Sequence, residues 1–214
     1  MIVSHEHRFI FMKTLKTAGT SVEIELSRVC GTHDIITPLP PDDEVLRAER
    51  GGRPAQHYDS PPLVERLQEH VRASKARRII GTEVWDGYFK FAVDRNPWDA
   101  VVSLFYWMRR NEKVDTFERF LTMPNIEQLA TRNYQAYHRK GQVAVDRVLR
   151  YETLAGELAE VWQQLSLPGE PALPRAKAGA RPEGTDFHDL YDADSAELVR
   201  RAFAPQIAEL GYTF

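Results

Sequence analysis

Two short stretches of this 214-residue chain combine residue types that bind anions. The first is Leu15-Lys16-Thr17-Ala18-Gly19-Thr20-Ser21. Small residues let backbone N–H groups approach a ligand, and a helix beginning there adds the positive end of its dipole. Lys16 brings a mobile positive charge, and Thr17, Thr20 and Ser21 bring hydroxyl donors. The stretch is not a Walker A loop, whose lysine follows the last glycine; here Lys16 precedes Gly19. Taken alone, the same residues also suit an ordinary capped turn with a surface lysine. The second stretch is Arg95-Asn96-Pro97-Trp98-Asp99-Ala100-Val101-Val102-Ser103. It sets an arginine about two helical turns before a serine, and an arginine can grip a phosphate with two parallel hydrogen bonds. A lone arginine at a strand end is usually one half of a surface ion pair. Two such loops together point to two anionic groups on one ligand.

The elements that must position these loops are legible from apolar runs and breakers. Phe9–Met12 reads as a buried strand, and a helix is expected from about Val22 to Val29, with Thr20 or Ser21 as its cap and Gly31 at its end. Tyr88–Val93 reads as a strand. The helix Trp98–Arg110 follows, with Pro97 in its first turn. Arg147–Tyr151 reads as a third strand, followed by a helix from Thr153 to Leu165 with Thr153 as cap. Leu63–Ile80 has a basic amphipathic pattern, read as a solvated surface helix, and a last helix is expected from about Asp194 to Leu210. Residues 37–62 and 168–188 are rich in Pro and Gly and read as long loops. Three strand–loop–helix units imply an α/β fold, a three-layer parallel β-sheet flanked by helices, with ligands at the carboxyl ends of the strands. No repeat and no second hydrophobic block is visible, so residues 1–214 are expected to form one domain.

Composition narrows the class. With 43% apolar residues the chain is not disordered throughout. Lys plus Arg number 28 and Asp plus Glu 31, a net charge of −3 that argues against an electrostatic nucleic-acid binder. A single cysteine, Cys30, rules out an internal disulfide framework and a Cys-rich zinc site. No apolar run approaches the roughly 18–20 residues of a membrane span. The first residues lack the basic and apolar regions of a signal peptide. A cytoplasmic location is therefore expected.

At this point the residues resemble a family, the sulfotransferases that use 3′-phosphoadenosine-5′-phosphosulfate (PAPS), in their compact bacterial form. KTLKTAGTSVEIELS resembles the family's 5′-phosphosulfate loop and FKFAVDRNPWDAVVS its 3′-phosphate motif. VLRYETL resembles the segment lining the adenosine site, and LPRAKAGARP with FAPQIAELGYTF the C-terminal region. The resemblance implies a P-loop NTPase-like sulfotransferase fold and transfer of a sulfuryl group from PAPS to a hydroxyl. A carbohydrate or glycolipid is the implied acceptor. It places Lys16 on the bridging oxygen of the leaving phosphate, and Thr17, Ala18, Gly19, Thr20 and Ser21 around the 5′-phosphate. It places Arg95 and Ser103 on the 3′-phosphate, Tyr151 near the adenine, and Lys177 and Arg181 over the nucleotide. Leu15 stands where many relatives have proline.

In-line sulfuryl transfer requires stabilisation of the leaving oxygen and removal of the acceptor's proton. It requires no metal by this logic. His57 is the expected base, with Glu6, Asp34 and Glu83 as alternatives. His5 and His7 flank Glu6, but two histidines without a third ligand make a weak metal site. His33, His70, His138 and His188 show no constellation in the sequence. A P-loop-like kinase or nucleotide hydrolase and a non-catalytic nucleotide-binding module remain as alternatives.

Overall fold

The computed structural model describes residues 1–174, 176, 181, 182 and 184–214. In chain order the elements are β1 (Ile2–Ser4), β2 (Phe9–Met12), α1 (Gly19–Ser27), β3 (Ile35–Ile36), α2 (Pro41–Glu49), α3 (Ala73–Ile80), α4 (Thr82–Gly87) and β4 (Phe89–Asp94). They continue with α5 (Pro97–Arg110), α6 (Phe117–Leu121), α7 (Asn125–Tyr137), β5 (His138–Arg139), β6 (Gln142–Val143) and β7 (Arg147–Arg150). The chain closes with α8 (Leu154–Gln164), α9 (Ala193–Ala202) and α10 (Ala204–Leu210). Two compact units result: residues 1–94 with 135–176, and residues 95–134 with 177–214.

The first unit holds a five-stranded sheet in the order β3-β1-β2-β4-β7. Strands β2, β4 and β7 are mutually parallel, whereas β1 pairs antiparallel with both β2 and β3. Four strands therefore run one way and β1 alone opposes them. Side chains alternate between faces along each strand. Phe9, Phe11, Phe91, Val93 and Leu149 pack with Val22 and Leu26 of α1 and with Leu158, Val161 and Trp162 of α8. Ile10, Met12 and Ala92 pack on the other face with Ala73, Ala76 and Ile79 of α3, Trp85 of α4 and Tyr137. Helices on both faces of a largely parallel sheet make the three layers that the repeated strand–helix pattern implies.

Several local expectations need correction. Residues 37–62 are not wholly irregular, because α2 lies within them. Pro41 occupies its first turn, where proline's missing N–H costs nothing, and Asp42, Asp43 and Glu44 suit the positive end of its dipole. The basic pattern from Leu63 is helical only from Ala73. The C-terminal helix is broken at Phe203, ahead of Pro205 in the first turn of α10.

In the second unit, α5 is capped by Asn96, whose side-chain oxygen accepts from the Trp98 N–H. The Trp98 indole donates to the Ala196 carbonyl of α9 at 2.9 Å, and the Tyr191 hydroxyl donates to the Trp98 carbonyl at 2.9 Å. Phe117 meets Phe105 and Tyr191 edge-on, with ring centroids 5.2 Å apart in each case. Edge-to-face pairs of this kind favour one relative placement of the helices that carry them.

Helix α1 is buried along its whole length, Glu23 and Glu25 included. Glu23 lies 2.8 Å from the Met1 amino nitrogen, 2.9 Å from Lys13 Nζ and 3.5 Å from Arg47, and it accepts from Thr37 at 2.8 Å. Burial opposes its ionisation, but the Met1 amine, Lys13 and Arg47 outweigh burial and hold its carboxyl at about 2. Burial in turn lowers the Met1 ammonium to about 5 although Glu23 resists. Lys13 and Arg47 therefore carry the positive side of the cluster at neutral pH. A Glu23→Ala protein is expected to lose about 3–5 kcal/mol of stability, because buried cations are left unpaired. Thermal unfolding should then fall by on the order of 10 °C. The folded value lies below the ordinary 4.5, so Glu23's contribution is full above that pH and is lost as pH falls toward 2. A wild-type protein whose midpoint does not drop across that window would refute the assignment.

Candidate functional site

The carboxyl ends of β2, β4 and β7 lie side by side: Met12 pairs with Ala92, and Asp94 with Arg150. The loop from Lys13 to Ala18 leaves β2 at this edge. Lys16 has φ 64° and Ala18 has φ 59° and ψ 18°, both left-handed and neither a glycine. Each such residue costs about 1–2 kcal/mol relative to an ordinary conformation, and strain of this kind gathers at ligand clamps. Thr14 Oγ1 donates its one proton to the Val93 carbonyl of β4, so Thr17 must donate in the 2.7 Å contact between the two hydroxyls. That pins the loop to β4 and uses the Thr17 hydroxyl internally. Thr17 can therefore offer a ligand its backbone N–H rather than its side chain.

Ala18 stands at the N-cap of α1, so neither Thr20 nor Ser21 caps the helix as expected, and no side chain does so. The first turn also carries no acidic residue. Thr20 and Ser21 are buried within it. Side chains cap α5, α6 and α9, whereas α2, α3, α4, α8 and α10 also begin without one. An uncapped helix start behind a left-handed loop presents N–H groups to an anion. Gly19 is required by close approach: a Cβ there would lie 2.8 Å from Lys13 Cγ and 3.2 Å from the Thr14 carbonyl.

Lys13 runs beneath that glycine. Its ammonium is 2.6 Å from Glu69 and 2.9 Å from Glu23, so it is committed to carboxylates. Lys16, three residues on and half-buried, is the lysine placed in the loop itself. Tyr151 begins a short 3-10 turn directly after β7, at the same edge.

The same edge holds a histidine that the sequence does not single out. His70 Nδ1 lies 3.2 Å from the Lys13 carbonyl. A carbonyl only accepts, so Nδ1 carries the ring proton and Nε2 carries the lone pair. Nε2 faces Glu69 Oε1 at 3.8 Å, too far for a hydrogen bond. Burial, helped by Lys13 and resisted by Glu69, lowers His70 to about 4. The imidazole is therefore neutral at physiological pH, partly exposed, and carries an acceptor nitrogen beside the loop. Fifty-six or more residues separate Lys13 from Glu69 and His70. No local pattern joins them.

His57, the expected base, lies elsewhere. Ser4 pairs with Phe9, so the β1–β2 hairpin is at the amino end of β2. Asp34 is tied there by the Ser4 hydroxyl at 2.7 Å and the His5 and Glu6 N–H groups. His57 Nε2 contacts the neighbouring Thr32 carbonyl at 2.9 Å. Asp34 spends its oxygens on those donors and on the Gly31 N–H. Glu6 sits in the same hairpin, and Glu83 lies in α4, which leads into the amino end of β4. All four candidate bases therefore occupy the sheet edge opposite the loop. His5 and His7 also have structural partners, the Tyr88 hydroxyl at 2.9 Å and the Val29 carbonyl at 3.0 Å.

In the second unit, Arg95 precedes α5 and Ser103 lies within it. Arg95 contacts Asp99 through Nε at 2.8 Å and Nη2 at 2.7 Å. Arg181 Nη1 reaches the other oxygen of Asp99 at 2.6 Å. Two arginines that the resemblance assigns to the nucleotide thus meet on one carboxylate. Lys177 lies outside the described residues.

The fold and this edge define an α/β protein with a left-handed loop and a helix start without a side-chain cap at the carboxyl end of its sheet. No family model matches the chain. An uncharacterized protein of Archaeoglobus fulgidus is 33% identical over 97 residues, which cover 44% of this chain and 81% of that protein. The chain belongs to the family of that archaeal protein, whose name carries no activity. Among solved structures, a sulfotransferase from Alicyclobacillus acidocaldarius is similar over 97% of this chain and 96% of its own, at a TM-score of 0.40 and 16% identity. Similarity at that level leaves the function to be argued from the site. Among the described residues, no helix is long and apolar enough to cross a membrane.

Proposed function

We propose that the protein is a sulfotransferase that moves a sulfuryl group from PAPS to a hydroxyl acceptor. The observation that carries this reading is the loop Lys16–Ala18 opening onto an uncapped α1, with neutral His70 at the same sheet edge. The donor set fits a 5′-phosphate: backbone N–H groups, a helix dipole and one ammonium. The two-motif resemblance supports a nucleotide that also carries a 3′-phosphate, held by Arg95 and Ser103.

The donor, when bound, supplies a sulfuryl group on a phosphate: the acceptor oxygen forms the new S–O bond as the bond to the 5′-phosphate oxygen breaks. Lys16 and the N–H groups of α1 stabilise the negative charge left on that phosphate oxygen. His70 Nε2 receives the acceptor's proton, and Glu69 beside it steadies the imidazolium that forms. The same resemblance assigns Tyr151 to the adenine and Lys177 and Arg181 to the nucleotide. The acceptor is a carbohydrate or glycolipid hydroxyl, by the same resemblance.

Thermal unfolding with 3′-phosphoadenosine-5′-phosphate (PAP), and with ADP for comparison, tests the reading. At about 100 times its dissociation constant PAP should stabilise the wild type by about 2.7 kcal/mol. ADP should do less at the same concentration, and Arg95→Ala should abolish the difference. Equal stabilisation by both nucleotides would favour a kinase or nucleotide hydrolase. Stabilisation by neither would sink the nucleotide reading.

A further inference from the structure

We infer that Asp99 is a positioning residue for phosphate recognition, gathering Arg95 and Arg181 into one dianion-binding pair. The inference rests on the proposed nucleotide reading. Asp99 lies in the first turn of α5, where a carboxylate also suits the helix dipole. Its Oδ2 takes both Nε and Nη2 of Arg95, and its Oδ1 takes Nη1 of Arg181, which is 82 residues away in sequence. The three side chains are largely buried, at 15%, 10% and 24% exposure, so solvent screens them little. Arg181 is held a second time, donating to the Thr185 carbonyl. Tyr191, packed nearby, stays neutral: burial and the Asp99 charge both push its hydroxyl pKa up.

Two guanidiniums brought this close repel each other, and the carboxylate they share offsets part of that repulsion. A further anion beside the pair would offset more of it. A phosphate dianion would accept from the outer N–H groups of the two guanidiniums rather than from the edges that Asp99 holds. Asp99 fixes the rotamers of both arginines in advance, so less conformational freedom is lost when the ligand arrives. A diphosphate without a 3′-phosphate, such as ADP, gains nothing from the pair. Asp99 is therefore expected to act on the ratio of PAP to ADP affinity rather than on binding at large.

Calorimetric titration of the full chain with PAP and with ADP tests this, on wild type, Asp99→Asn, Asp99→Glu and Arg181→Ala. Asp99→Asn should weaken PAP binding about 10-fold and leave ADP within about 2-fold, so the PAP:ADP ratio falls by about the same 10-fold. Asp99→Glu should recover part of the ratio. Arg181→Ala, which leaves the Arg95–Asp99 contact in place, should lower the ratio similarly and carries the test if Asp99→Asn does not fold. An unchanged ratio in the variants, or equal losses for both nucleotides, would reduce Asp99 to a structural ion pair and overturn the inference alone. A wild type that does not prefer PAP over ADP would overturn the nucleotide reading, and this inference with it.

Discussion

Lys16→Ala is expected to lower turnover by about 10²–10³-fold, the usual loss when one donor to a developing oxyanion is removed. The assay is PAP formed from PAPS, with water or an added sugar hydroxyl as acceptor. The variant should still fold, because Thr14 and Thr17 pin the loop to β4. Affinity for PAP should fall much less than turnover, since the backbone N–H groups of α1 remain. Lys13 cannot substitute for Lys16: its ammonium is held by Glu23 and Glu69 on the inner side of the loop. Lys16→Ala turnover within about 3-fold of wild type would remove this lysine from the chemistry. The loop would then be left as a binding feature only.

The second large effect concerns His70. His70→Asn keeps an N–H donor where Nδ1 meets the Lys13 carbonyl, so the local structure should survive. The acceptor nitrogen is lost, and turnover should drop by about 10²–10⁴-fold while PAP affinity stays near wild type. His57→Asn should change neither, because His57 sits on the Thr32 carbonyl at the opposite sheet edge. Full activity in the first variant, or loss in the second, would reverse the assignment.

The pH dependence gives a separate reading of the same residue. In the free protein burial, aided by Lys13, sets His70 at about 4, so the acid limb of kcat/KM should lie near there rather than near 6.5. A bound anionic donor adds negative charge beside the ring and favours the imidazolium, so the limb of kcat should lie higher. The linkage to stability has a definite sign. Because the folded value is below 6.5, neutral His70 supports the fold above that pH. Its contribution is lost as pH falls from 6.5 toward 4.

What could be read from the residues alone was what is encoded locally. The stretches read as strands, Phe9–Met12, Tyr88–Val93 and Arg147–Tyr151, contain the parallel strands β2, β4 and β7 to within a residue, because their β-forming apolar residues lie between clear breakers. Pro97 marked the start of α5, since proline suits the first turn of a helix, and the Asn96 cap emerged with the structure. The loop between β2 and α1 was likewise legible as a loop, because its small and polar residues interrupt the apolar pattern on either side. Strands β1 and β3 were not legible. They are only three and two residues long, and their pairing partners lie elsewhere in the chain. The proline that opens α2 signals a break and a helix start equally well, and only packing decides between them.

The candidate site divides in the same way. Lys16, Arg95 and Tyr151 each follow a strand, so a local pattern places them at the strand ends. His70 reaches the loop only because the chain before α3 returns across β2, a contact over 57 residues that no spacing encodes. Asp99 joins Arg95 within one helical turn but Arg181 only through the folding of its unit. Glu23 looks like a surface residue in an alternating run, and the tertiary structure makes it the buried partner of Lys13 and Arg47. Backbone conformation and capping act over a few residues, whereas burial and charge pairing depend on which distant segments meet. The sequence by itself therefore determined where the loop between β2 and α1 and the turn before α5 lie, and only the tertiary structure decided which histidine and which carboxylates stand beside them.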